Sequence, residues 1–169
     1  MTTNEKIVEI LKSHPEGGEK FFNALDFMIR SDHEIIYQFL QFVMQNYTRL
    51  LPYGTFTNDV GFVLTGRFGE VIMSNYSREL NSVSKELIIV EGGLRKGAIP
   101  MIPREKFGTK NFVVLDDSYY SGNTVRAIRI GMQNTSPHVY VHGALVIYDG
   151  SQKKPDEGEK VLSMFRYYE

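Results

Sequence analysis

Cysteine is absent from this chain. Its absence excludes disulfides, thiolate zinc sites and cysteine nucleophiles together. An excess of charge of one sign is missing too: 19 Lys and Arg stand against 20 Asp and Glu, a formal net charge of −1. Without a global basic field, nothing advertises nucleic acid as a partner, and none is expected. No apolar run approaches the length of a membrane span. The opening Met1-Thr2-Thr3-Asn4-Glu5-Lys6 lacks the apolar core of a signal peptide. The expectation is a soluble, cytoplasmic protein with no membrane partner. Its four histidines (14, 33, 138 and 142) are scattered. Only His138 and His142 share an i, i+4 spacing, on one face of a strand-like run, which is a poor start for a metal site.

What is present is ordinary for a globular chain: 42% hydrophobic and 23% charged residues over 169 positions, enough for a single domain with one core. The first third reads as helical. Ile7, Val8, Ile10 and Leu11 form a short stripe, with Thr3 or Asn4 as candidate N-cap, before Pro15-Glu16-Gly17-Gly18 breaks it. Phe21, Phe22, Leu25, Met28 and Ile29 recur at helical spacing. Ser31 or Asp32 is placed to cap a longer helix carrying Ile35, Ile36, Phe39, Leu40, Val43, Tyr47 and Leu50. Such an aromatic stripe reads as core or dimer interface.

Beyond Pro52 the pattern changes. Apolar runs at 60–64, 87–90, 112–115 and 139–148 read as strands, and 161–168 as a last strand or short helix. Helical patterns at 71–80 and 124–132 separate them. Strands alternating with helices predict an α/β domain, a mostly parallel sheet flanked by helices, preceded by an N-terminal helical segment. The domain spans 1–169: helices at 1–52, an α/β core at 58–150, and a C-terminal loop and last element at 151–169.

The chemistry concentrates in Phe112-Val113-Val114-Leu115-Asp116-Asp117-Ser118-Tyr119-Tyr120-Ser121-Gly122-Asn123-Thr124. A buried parallel strand ends in two carboxylates, at the sheet edge where open α/β folds bind ligands. Ser121, Gly122, Asn123 and Thr124 offer amide groups and hydroxyls at a helix N-terminus, a cradle for phosphate. An acidic pair beside it suits a ribose diol or a hydrated magnesium ion. The pattern describes a sugar-phosphate pocket.

This segment resembles the phosphoribosyl pyrophosphate (PRPP) motif of type I phosphoribosyltransferases: an apolar strand, two acids, three variable positions and a short Thr/Ser-Gly-x-Thr/Ser loop. Its wording is most similar to the pyrimidine-attenuation regulators that are also uracil phosphoribosyltransferases. The resemblance implies a Rossmann-like type I phosphoribosyltransferase fold. It also implies that Asp116 and Asp117 face the ribose hydroxyls and hold Mg2+, largely through water and PRPP. Ser118, Tyr120, Ser121, Gly122, Asn123 and Thr124 would bind PRPP, with 121–124 around the 5′-phosphate. Tyr119 and Tyr120 stack on a base or pack beneath the loop. Hypoxanthine-guanine enzymes carry an acid three residues after the second Asp; Tyr120 stands there, so that role is not carried over.

By the same resemblance, Thr65, Gly66 and Arg67 belong to a pyrophosphate loop, Thr65-Gly66-Arg67-Phe68-Gly69, about fifty residues before Asp116 as in orotate phosphoribosyltransferases. The glycines let backbone approach a phosphate, and Arg67 supplies a charged fork. The glycine-bearing, basic stretch 91–110 fits a closing lid. Arg95 and Lys96 are its favoured catalytic cations, with Lys106 next. A variable hood over the base would come from the N-terminal helices with Tyr148, Phe165 or Tyr167. The implied partners are PRPP and a small nitrogenous base, in a homodimer. The competing reading is a PRPP-binding regulator without turnover. A receiver-like signalling domain fits worse, because the acid pair falls late and the run 139–148 ends at Asp149 rather than at a lysine.

Overall fold

The computed structural model describes residues 2–14, 18–31, 33–91, 97–102, 104–151 and 160–166. Arg95, Lys96 and Tyr167 lie outside them. Three helices come first: α1 (Thr3–Ser13), α2 (Glu19–Ser31) and α3 (Glu34–Asn46), followed by a 3-10 turn, Tyr47–Leu50. Then β1 (Gly61–Thr65), α4 (Gly66–Asn81), β2 (Glu86–Val90), β3 (Asn111–Tyr119), α5 (Asn123–Thr135), β4 (Tyr140–Asp149) and β5 (Val161–Arg166) complete the chain. The last element is thus a strand, as one of the two sequence readings had it.

Helix starts differ in detail from the sequence reading. Thr2, not Thr3 or Asn4, caps α1. Its Oγ1 accepts from the Glu5 amide at 3.2 Å, and its own amide donates to Glu5 Oε2 at 2.7 Å, a reciprocal capping box. Ser31 closes α2, and α3 starts after His33 with no side-chain cap.

The five strands form one parallel sheet in the order β2-β1-β3-β4-β5. The central strands are apolar on both faces because both are covered. Phe62, Leu64, Val113, Leu115, Leu145 and Ile147 point to one face, where they join Phe21 of α2, Ile35, Ile36, Phe39 and Val43 of α3, and Phe68 and Ile72 of α4. Val63, Ile88, Val114, Ala144 and Val146 point to the other, against Val125, Ala127, Ile128 and Met132 of α5. The aromatic stripe of the N-terminal segment is therefore core: Phe21 and Phe39 are fully buried. It forms a covering layer of the sheet, and among its described residues Gly18 reaches the cavity described below.

Candidate functional site

Strand order reverses between β1 and β3, so their carboxyl ends splay and open a crevice, the position where doubly wound sheets bind ligands. The residues singled out in the sequence sit at this edge. Thr65, Gly66 and Arg67 end β1 and start α4. Asp116, Asp117, Ser118 and Tyr120 end β3 or follow it, and 121–124 lead into α5.

Two local readings need correction. Thr65-Gly66-Arg67-Phe68-Gly69 is not a loop: Thr65 is the last residue of β1 and Gly66 the first of α4. Gly66 has φ 64°, which reverses the chain within one residue. Likewise the motif strand does not stop at Leu115 but pairs with β4 as far as Tyr119 opposite Asp149. Adjacent residues of a strand project to opposite faces. The two acids are thereby separated.

Asp116 lines a cavity of about 270 Å³ together with Ser118, residues 119–125, Val146 and Gly18. Asp117 is 4% exposed and has no part in that wall. Asp116 Oδ1 accepts from the Asp117 amide at 2.8 Å, and Ser118 Oγ donates to Asp117 Oδ1 at 3.2 Å. Thr65, Gly66 and Arg67 share the sheet edge with this cavity but not its wall.

The turn ahead of α5 is built on Gly122, the N-cap of the helix, with φ 81°. This left-handed conformation favours glycine, which carries no Cβ to clash. The glycine cap itself brings no side chain to the helix end, although Ser121 Oγ accepts from the Asn123 amide at 3.3 Å; a helix N-terminus of this kind suits an anion. Arg126, an arginine the sequence reading overlooked, staples the turn. It donates to Asn123 Oδ1 at 3.0 Å and to the Ser121 carbonyl at 3.4 Å. Its position one helical turn after Gly122 was the available signal.

The two tyrosines part ways. Tyr119 is buried beneath the turn, on the α5 side. Tyr120 lines the cavity and also joins an aromatic cluster on the other face, 6.1 Å from Phe21 and 5.8 Å from Tyr148 between ring centroids. Tyr148 is 1% exposed, a core residue rather than an open hood. Phe165 is partly buried against the same core.

The expected lid, 91–110, is described at 91, 97–102 and 104–110. Its second half runs back to the amino end of the sheet: Arg104 donates to Glu86 Oε2 at 2.9 Å and to the Leu87 carbonyl at 3.0 Å. The Gly108 amide donates to Glu86, and Thr109 Oγ1 donates to Asp59 Oδ1 at 2.7 Å. Glu86 opens β2 and Asp59 precedes β1, so 104–110 is anchored at the edge opposite the cavity. Lys106, within this stretch, is not placed to reach a ligand there.

As to magnesium, no group of three or more His, Asp or Glu side chains comes together among the described residues. One wall carboxylate does suit this ion, which keeps several waters and takes its other ligands from phosphate oxygens. His138 precedes β4 and is exposed, whereas His142 is half-buried in β4. No helix among the described residues is long and apolar enough to cross a membrane.

No protein-family model matches this sequence, and no curated protein matches it. Solved structures do. A purine phosphoribosyltransferase from Pyrococcus horikoshii Ot3 aligns with a TM-score of 0.50 over 78% of this chain and 82% of that one, at 14% identity. A hypoxanthine phosphoribosyltransferase from Trypanosoma cruzi, in complex with the product IMP, aligns with a TM-score of 0.50 over 79% of this chain and 72% of that one, at 10% identity. The fold is that of the type I phosphoribosyltransferases. At these identities the likeness speaks for the architecture, and the chemistry must be argued from the residues.

Proposed function

We propose that the chain is a phosphoribosyltransferase that moves the 5-phosphoribosyl group from PRPP to a nitrogenous base and releases pyrophosphate. The observation that carries this reading is the juxtaposition of Asp116 with the Gly122 phosphate turn on one cavity at the switch point of the sheet.

Each residue then has a task. Residues 121–124 hold the 5′-phosphate at the α5 N-terminus, and Arg126 keeps that turn in shape. Asp116 orients the ribose hydroxyls. Asp117, tied to Asp116 and Ser118, is a buried support for the strand end. Cleavage at the anomeric carbon builds positive charge on the ribose and negative charge on the departing pyrophosphate, so catalysis is chiefly electrostatic. Magnesium, when bound, would neutralise charge on the leaving pyrophosphate, with Asp116 as its protein carboxylate. Thr65, Gly66 and Arg67 would receive the pyrophosphate from the β1 side. Arg95 and Lys96 remain the proposed closing cations.

The test is pyrophosphate release with Mg-PRPP and single bases, beginning with hypoxanthine and other purines, which the fold neighbours name, and continuing with uracil and orotate. Release with one base supports the enzyme. The withdrawal of Asp117 from the cavity wall favours the second reading, a PRPP-binding regulator: such a protein would bind PRPP yet release nothing with any base. A homodimer belongs to the same proposal. Exposed Phe27, Tyr37 and Phe56 supply apolar surface for it, and sedimentation velocity would test it.

A further inference from the structure

The amino end of the sheet holds a second cavity, of about 370 Å³, at the edge opposite the phosphate turn. A volume near 300 Å³ and above is the scale of small-molecule sites. Its wall includes Arg129 and Gln133 of α5, Tyr140 and His142 of β4, Lys160 ahead of β5, and Pro52. Among the described residues this wall contains three basic groups and no carboxylate. On the β3 side, the Asp59 carbonyl accepts from Asn111 Nδ2, and the Asp59 carboxylate is engaged by Thr109 and Lys85.

The basic groups are held in place. Arg129 donates to the Val141 carbonyl at 3.0 Å. His142 Nε2 lies 2.8 Å from Asn111 Oδ1, an acceptor, so this nitrogen carries the proton. A β-bulge lies here: β3 advances from Phe112 to Val114 while β4 advances from Val141 to Ala144. Bulges of this kind re-aim side chains. Gly143, inside the bulge, lets the Lys160 backbone come so close that a Cβ would collide with its carbonyl oxygen. That same oxygen accepts from the Ala144 amide at 2.9 Å. The glycine thus seats Lys160 beside His142 and Arg129.

Tyr140, more than half exposed, stacks on the His142 ring with 6.0 Å between centroids and 23° between planes, presenting an aromatic flank. Burial chiefly, then the nearby charges of Lys160 and Arg129, hold His142 below the usual imidazole range.

We infer that this cavity is a second ligand site, which takes the phosphate of a small aromatic phosphate monoester between Arg129 and Lys160, with the aromatic group against Tyr140. An anion relieves the mutual repulsion of Arg129 and Lys160, and the ligand's aromatic group gains a stacking partner in Tyr140. α5 connects the two sites: its N-terminus forms the phosphate turn, and Arg129 and Gln133 on its second half face the lower cavity.

Inorganic phosphate and phenyl phosphate, titrated into the full chain and followed by amide chemical shifts, test this directly. The expected result is saturable shifts at 141–143 and 129, with phenyl phosphate binding more tightly than phosphate. Lys160→Glu should weaken both by about tenfold, the scale of one charge-assisted contact. Lys160→Arg should retain them, and Tyr140→Ala should reduce phenyl phosphate to the affinity of phosphate. Lys160 is exposed, so these variants keep the fold. Shifts confined to 122–125, no saturation, or an unchanged affinity in Lys160→Glu would each overturn the inference. None of these outcomes depends on whether the upper cavity binds PRPP.

Discussion

The hydroxyl of Tyr119 lies directly beneath Gly122: a Cβ added to that glycine would stand 2.7 Å from it. The turn that carries the proposed phosphate contacts is therefore floored by a buried tyrosine, and its backbone conformation is left-handed as well.

Gly122→Ala should cost stability on both counts, about 1–2 kcal/mol for the left-handed backbone alone, and should abolish phosphate binding at the turn. Tyr119→Phe in the same chain should recover the steric part and leave the backbone part. Thermal denaturation of the two single variants and the double variant separates them.

The two aspartates should respond differently. Asp116→Asn should weaken Mg-PRPP binding by about 1.5–3 kcal/mol, the range for a hydrogen bond to a charged group, with little change in melting temperature. Asp117→Asn should act mainly on stability, because its carboxylate is buried away from the cavity wall. Calorimetry and thermal melts on both variants provide the check. Equal loss of affinity in the two would mean that both acids face the ligand.

Glu86 is the anchor of the return segment. Replacing it with Ala strands the Arg104 guanidinium and the Gly108 amide, a cost of about 1–3 kcal/mol for an unmet partially buried group. PRPP affinity should stay within twofold of wild type, roughly 0.4 kcal/mol, since the anchor sits at the opposite edge of the sheet. Chemical denaturation and ligand titration read the two effects separately.

Stability should fall on acidification in two windows. His142 has its folded pKa lowered by burial and by Lys160 and Arg129. Its contribution is complete above the unfolded value of 6.5 and is lost as pH falls through the lower folded value. Asp59, lowered chiefly by the Thr109 hydrogen bond and further by Lys85, contributes in full above 3.8 and loses that contribution below it. His142→Gln should remove the first window from a denaturation-against-pH profile and leave the second.

The architecture was legible because periodicity reports it: apolar runs marked the first four strands, and helical spacing marked α3, α4 and α5, whereas the last segment, with Val161 as its one β-branched residue, read equally as strand or short helix. The turn ahead of α5 was legible because glycine and hydroxyl residues follow a strand there. Pairing length was not. Nothing in Phe112-Val113-Val114-Leu115 announces that β4 keeps pairing through Tyr119, and this extension is what sends Asp116 and Asp117 to opposite faces. The return path of 104–110 was hidden as well, because it depends on Glu86, Asp59 and Gly108 meeting across long sequence separations. The lower cavity depends on a bulge, which local composition does not encode, whereas Arg126 could have been found from its place one helical turn after Gly122.

Calorimetric titration of PRPP into the wild-type chain with magnesium present tests the central claim most directly. Saturable micromolar binding at one site per chain, lost in Gly122→Val, is the predicted result. A flat titration with folded protein would contradict the account and leave the Asp116–Gly122 cavity a feature of the fold alone.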